Sequence, residues 1–306
     1  MLNHGYAYTS VIGHKHQGQR LLAHLASLYA HSSRQEWLQN LQKGEVTLDG
    51  AQANGSELLA AGQILVWNRP PWSEPEVPQN FQIVFEDEHL LAVSKPSGVP
   101  TLPGAGFLEN TLLGLVQRQH PEASPVHRLG RGTSGIVLFA KSSQAAATLT
   151  ANWNTPRIQK IYRALAQKPA AEDHYEILTP IGLVPHPRMA SVWAASPGGK
   201  ASKSVARVVA RSHEATLFEV SLYSGRPHQI RIHLASIGHP LVGDPLYATG
   251  GLPLESLPGL PGDGGYFLHA QFLNFEHPAT GQQIHLEAEL PAEFAARCVE
   301  MQIEGA

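Results

Sequence analysis

Only one cysteine, Cys298, is present in 306 residues, so no internal disulfide can form and no zinc site can be built from thiolates. Such a chain suits a reducing compartment. No stretch approaches the ~18 uninterrupted apolar residues of a membrane-spanning helix. The opening MLNHGYAYTSVIGHKHQGQ also lacks the apolar centre of a secretory signal. A cytoplasmic protein without membrane partners is the expectation. Charged residues are sparse at 15%, while 42% of the chain is hydrophobic, enough in 306 residues to bury the cores of two domains. The histidines, among them His14, His16, His24 and His31, lack the spacing and accompanying acids of a ligand set, so no metal is expected.

The formal net charge of −3 is unevenly spread. His127 to Arg231 holds 14 Lys and Arg against 5 Asp and Glu, whereas Ile232 to Ala306 holds one against nine. A near-neutral chain with this distribution can turn a basic face to phosphates, unless folding scatters the charges. One more absence matters. Gly130, Gly132 and Gly135 spell G-x-G-x-x-G, but no acidic residue occurs between Glu122 and Glu172, and the apolar strand follows the glycines instead of preceding them. A dinucleotide fingerprint needs the opposite order and an acid about 20 residues on. Ser134 is not framed as G-x-S-x-G, which removes the hydrolase elbow.

What is there is concentrated in Pro125 to Lys141, PVHRLGRGTSGIVLFAK: two arginines, a small polar turn, and the strand-forming run Ile136 to Ala140. Taken alone, it reads as a basic loop leading into a buried strand, and a tight turn with two solvated arginines would look the same. Upstream, Leu21, Leu22, Leu25 and Leu28 recur at helical spacing. Ser32 or Ser33 caps a second helix bearing Trp37, Leu38 and Leu41, and GEVTLDG and QILVW form short strands. Prolines at 70, 71, 75 and 78 mark a linker. The expected organisation is therefore a small module over 1–70, a linker over 71–80 and a larger domain over 81–306.

In the larger domain, strands are expected at Ile83–Phe85 and Leu90–Val93. Helices are expected at Thr111–Gln117, at Ser142–Trp153 and in PAEFAARCVEM, with strands at Arg157–Leu165, FLHAQFLNFEHP and QQIHLEAEL. Pro180 to Arg211 reads as strands joined by a basic loop, and Gly251 to Gly265 as a surface loop. After the turn at Gly225, QIRIH alternates, which places Ile230 and Ile232 on one face of a strand and Arg231 and His233 on the other. Lys95-Pro96 leads away from the sheet, leaving a groove lysine and a solvated turn lysine both open. Tyr162 is either a packed strand tyrosine or a site residue.

Three of these segments resemble one family. HRLGRGTSG resembles the H-R-L-D-x-x-T-S-G signature of the RluA-type pseudouridine synthases, matching at His127, Arg128, Leu129, Thr133, Ser134 and Gly135. EDEHLLAVSKPSGVP is similar to the family's opening motif. GRPHQIRIH followed by GHPLVGDPLY is similar to its G-R-x-H-Q-[IL]-R-x-H block and G-D turn. The segment 1–70 resembles the S4 RNA-binding module, although its five basic residues to Pro75 are matched by five acidic ones, leaving Arg20, Arg34 and Lys43 as its phosphate contacts.

The resemblance implies an α+β catalytic domain around a mixed, mainly antiparallel sheet, with a small α/β S4-like module before it. It implies isomerisation of uridine to pseudouridine in RNA, rRNA or tRNA, by a monomer without cofactor or metal. Tyr162 would lie against the base, Arg231 would pair with the catalytic aspartate, and His127, Arg128, Arg131, Thr133, Lys95, Arg226, His228 and Gln229 would bind substrate. Asp244, in the G-D turn, would be structural.

At the nucleophile position stands Gly130, which can neither attack C1′ nor take the 2′ proton. Loss of such a group commonly lowers turnover by several orders of magnitude. Arg231 would then face a vacancy unless water, phosphate or another carboxylate filled it. Two outcomes follow: an active enzyme with a relocated acid, or a silent RNA-binding relative.

Overall fold

A computed structural model describes residues 2–29, 31–256 and 258–303. The chain divides into two compact units, Met1–Glu74 and Pro75–Ala306, and the division falls inside the proline-rich segment.

In the first unit, β1 (Tyr6–Val11), α1 (Leu21–Leu28), α2 (Arg34–Gln42), β2 (Val46–Leu48), β3 (Ala51–Gln52) and β4 (Ile64–Arg69) form an antiparallel sheet of order β1-β4-β2-β3 with two helices. The leucine spacing in α1 buries Leu21, Leu22 and Leu25 against Trp37 and Leu41 of α2 and Val46, Leu48 and Leu65 of the sheet. Ser33 starts α2 through a capping box: its hydroxyl accepts from the Glu36 N–H, and the Glu36 carboxylate accepts from the Ser33 N–H. The strand β1, with alternating Tyr6 and Tyr8, lies outside the expected elements.

The second unit contains β5 (Gln82–Glu86), β6 (Leu90–Lys95), α3 (Leu112–Gln117), β7 (Ser124–Pro125), β8 (Ser134–Ala140), α4 (Ser143–Asn152), β9 (Gln159–Gln167), β10 (His174–Ile177), β11 (Ile181–His186) and β12 (Met189–Ala195). It continues with β13 (Ser204–Arg211), β14 (Ala215–Leu222), α5 (Gln229–Ser236), β15 (Leu268–Glu276), β16 (Gln283–Glu287) and α6 (Ala292–Glu300). A ten-stranded sheet runs β10-β13-β14-β9-β15-β8-β6-β5, with β16 added to β15 and β7 to β8; β11 and β12 form a separate hairpin. The fold is α+β with a mainly antiparallel sheet.

One pairing is parallel, β8 with β15. Parallel neighbours are entered from the same end, so the loop before β8 and the loop before β15 must meet there. Their approach is close at Gly135, whose φ is +107° and where a Cβ would run into the Ala270 backbone. Glycine is required at that position by both the space and the backbone conformation. Buried Ser134 adds a bond to His269 Nδ1 at 2.8 Å across the same pair.

The segment Gln229–Ser236 is a helix, which corrects the strand expected from QIRIH. Seven of its eight residues are buried, so no exposed face imposes a 3.6-residue period, and the apolar-polar alternation of Ile230, Arg231, Ile232 and His233 imitates a strand. The polar members are satisfied inside the fold. His233 Nδ1 bonds Ser204 Oγ at 2.9 Å and its Nε2 lies 3.0 Å from Ser202 Oγ and from the Thr179 carbonyl.

Candidate active site

Positions 126–133 hang from the start of β8, and 251–265 lead into β15. Arg131 Nε donates to the Gly262 carbonyl at 2.7 Å, and Arg131 approaches Asp263 at 3.9 Å. A Cβ on Gly132 would meet the Tyr266 ring at 2.9 Å and Gly264 Cα at 3.0 Å, so the two loops touch through glycines. Gly130 is exposed, and a Cβ built there points at Tyr266 Oη, 3.3 Å away, with Thr133 Oγ1 at 3.6 Å. Those two hydroxyls are 3.3 Å apart and buried. The place reserved by the motif for a carboxylate is faced by a phenol.

Arg231 lies just behind that phenol. Its guanidinium carbon is 4.2 Å from the Tyr266 ring centre and 4.9 Å from that of Tyr247. The side chain is buried, and Nε and Nη2 each donate to Asp244 at 2.7 Å, a two-pronged pair. The expected vacancy is therefore absent: the carboxylate arriving from elsewhere is Asp244. Its Oδ1 also accepts from the N–H groups of Leu246 and Tyr247. With that many donors the Asp244 carboxylate is committed and buried, consistent with a structural role. Burial opposes the charge on Arg231, but the bonds and field of Asp244 hold its pKa above the ordinary value.

The other expected residues separate into two groups. Lys95 is fully buried, and its Nζ donates to the carbonyls of Pro96, Val99 and Arg131 at 2.9, 2.7 and 3.2 Å. It fastens the loop from below, which corrects both the groove and the solvated-turn readings. Burial pulls its pKa down to about 7. His127 stacks on Trp153 at 4.2 Å and accepts from the Leu138 N–H through Nε2, while burial and then Lys160 push its pKa down to about 3. Gln229 is spent on Ser224, Arg226 N, Lys203 O and Ser204. It braces the turn and does not face a ligand, another correction.

Arg226 donates to the Ala201 carbonyl at 3.3 Å. Arg128 is exposed and makes no hydrogen bond or ion pair to a described residue. His228 occupies a left-handed conformation at φ +56° at the head of α5. Tyr247 donates its hydroxyl proton to the Trp193 carbonyl at 2.7 Å, so His228 Nδ1–H donates to Tyr247 Oη, also at 2.7 Å. Its Nε2 is left as an acceptor. Burial, then the nearby Arg231, lowers the His228 pKa to about 3, so the ring is neutral.

Tyr162 is buried on β9, and burial raises its pKa to about 12. Its register partner on β15 is Ala270, whose partner on β8 is Gly135. Tyr162 is thus two strand spacings, about 10 Å, from the end of the loop. It shares one apolar cluster with Leu129 and Tyr266. Gly130 and Arg231 are therefore drawn together around Tyr266, a residue that the sequence reading passed over, while Tyr162 lies two strands away in the same apolar cluster. The basic excess is partly cancelled: Lys141, Arg163, Lys203 and Arg211 pair with Glu86, Glu219, Glu176 and Asp173.

The chain is similar to several known proteins. Residues 89–236 match the family model described as RNA pseudouridylate synthase. An uncharacterized RNA pseudouridine synthase of Synechocystis sp. is 43% identical over 87% of this chain and 92% of its own length. RNA pseudouridine synthase 5 of Arabidopsis thaliana is 38% identical, covering 86% of each. Ribosomal large subunit pseudouridine synthase D of Pseudomonas aeruginosa is 35% identical, covering 90% of each. Human RNA pseudouridylate synthase domain containing 4 superposes with a TM-score of 0.57 at 22% identity, covering 73% of this chain and 94% of its own, a likeness of fold. The chain belongs to the RNA pseudouridine synthase family.

Proposed function

We propose that the protein isomerises uridine to pseudouridine in RNA, using Tyr266 Oη as the oxygen that faces the ribose where the motif has lost its carboxylate. The reaction breaks the N1–C1′ bond, turns the uracil and forms a C5–C1′ bond; the C5 hydrogen leaves as a proton and N1 gains one. Attack at C1′ and removal of the 2′ proton both require an oxygen at the position 130 side of the site. The observation supporting this reading is the 3.3 Å between Tyr266 Oη and the Cβ direction of Gly130, with the Arg231 guanidinium 4.2 Å from the same ring. His228 Nε2 supplies an acceptor, and exposed Arg128 a cation for phosphate. The base must leave its stack to reach the site, which favours loops of folded RNA; ribosomal RNA is the proposed class, acted on by a monomer in the cytoplasm, with Met1–Glu74 as an S4-like RNA module.

Release of tritium from RNA bearing 5-tritiated uridine tests the reading. The wild-type chain releases it, and Tyr266→Phe slows release by about 100-fold or more. A second reading, a silent uridine-binding relative, rests on the committed state of Asp244 and the glycine at 130. It predicts no release from the wild type and a gain in Gly130→Asp combined with Tyr266→Phe, the second change lightening the approach to the new side chain.

A further inference from the structure

One face of the β1–β4 ladder carries Tyr6 and Tyr8 opposite Arg69 and Trp67. The facing pairs form a continuous row of rings: Tyr6 to Tyr8 at 4.8 Å, Tyr8 stacked on Trp67 at 5.4 Å and 22°, and His31 stacked on Trp67 at 5.5 Å and 25°. At its end the Arg69 guanidinium sits 3.6 Å over the Trp72 ring and 5.6 Å from that of Trp67. Tyr6 is 49% exposed and Tyr8 43%, on a strand that forms the edge of its sheet. The inner end of the row is anchored, because Trp67 meets the core residue Trp37 edge-on at 4.8 Å. The opposite face of β1 presents only Ala7, Thr9 and Val11.

We propose that this row is a stacking platform for unpaired RNA bases, separate from the site around Gly130 and resting on the reading of Met1–Glu74 as an RNA module. The chemistry of the strip selects this occupant. It offers two exposed tyrosine rings and one guanidinium, with no aliphatic side chain and no carboxylate among its members, a composition that suits bases joined by phosphates better than an apolar protein surface. Two acids beside the row, Glu45 and Glu36, have other duties. Glu45 accepts from Trp67 Nε1 at 3.4 Å, and the Glu36 carboxylate takes the Ser33 N–H. Burial, followed by the charge of Arg69, lowers the His31 pKa and keeps that ring neutral, suited to stacking. The balanced charge of this unit, which speaks poorly for binding through its helices, is no obstacle to binding through rings.

The test uses the full-length chain and an eight-residue oligouridylate in about 0.5 M salt, where phosphate contacts are strongly weakened. Binding is followed by anisotropy of the labelled oligonucleotide and by quenching of tryptophan fluorescence. The wild type binds with quenching. Tyr6→Ala combined with Tyr8→Ala weakens binding 10-fold or more at unchanged circular dichroism, and Tyr6→Phe combined with Tyr8→Phe, which keeps the rings, restores it. Absence of binding and quenching in the wild type overturns the proposal. So does equal affinity in the alanine variant, or a loss of self-association without any change in RNA binding. Tritium release reads the other site, so the two readings can fail independently.

Discussion

Two sides of the site in the larger unit differ in how their groups are held. On the arginine side every group is compensated: Arg231 has both prongs on Asp244, Asp244 has backbone donors besides, and two tyrosine rings cover the guanidinium. On the side of position 130 the chain itself offers no side chain, and the Tyr266 and Thr133 hydroxyls lie 3.3 and 3.6 Å from where one would begin. A buried arginine left unpaired would destabilise the fold by about 3–5 kcal/mol. The pairing with Asp244 removes that penalty whatever residue stands at 130. The arginine side is therefore held by folding, whereas nothing in the packing demands a side chain at position 130.

The largest expected effect is on the arginine side. Asp244→Ala strands the Arg231 charge and should lower unfolding stability by about 3–5 kcal/mol in urea titration, while Asp244→Asn, able to accept one bond, loses less. A variant as stable as wild type would show that Arg231 is not held as described. On the other side, Tyr266→Phe should leave stability within about 1 kcal/mol of wild type yet slow tritium release by about 100-fold or more, which corresponds to about 2.7 kcal/mol in the barrier. The junction that brings the two loops together is tested by Gly135→Ala. The added Cβ meets Ala270 at a positive φ, and a loss of about 2–3 kcal/mol is expected.

A smaller effect concerns acid. His127 and His228 titrate near 3 in the folded chain against an ordinary 6.5. Between pH 6.5 and about 3 the unfolded chain binds protons that the folded one refuses, so stability falls as pH falls through that window. Each histidine contributes about 2 kcal/mol of loss by pH 5. Replacing His127 with Asn should flatten the pH dependence of the melting temperature over that window; an unchanged slope would mean that the ring is not held neutral. Least of all, Asp263→Ala removes a half-exposed partner 3.9 Å from Arg131 and should shift stability by about 0.5 kcal/mol or less.

Most strands and helices of both units were legible because each has a face to bury: the leucines of α1, the run Ile136 to Ala140 in β8, and the serine caps of α2 and α4 all announce themselves. Helix α5 did not, since a segment buried on nearly every side carries no period. The residues of the site were legible in the motifs, but their duties were not. Lys95 and Gln229 looked like substrate contacts, and it is the carbonyls and hydroxyls around them that make them braces. Tyr266 could not have been found from spacing. It stands alone in a glycine-rich stretch far from position 130, and only the parallel pairing of β8 with β15 brings it there. The row of Tyr6 and Tyr8 was not read as a strand, and its partner Trp67 comes from the far end of the unit.

The central claim is that a phenol oxygen has taken over the place vacated at Gly130, and the most direct measurement is tritium release from 5-tritiated uridine RNA by the wild type and by Tyr266→Phe in parallel. Release by the first and a loss of about 100-fold in the second is the expected result. Equal rates in the two proteins, or no release by the wild type from any cellular RNA, would contradict it.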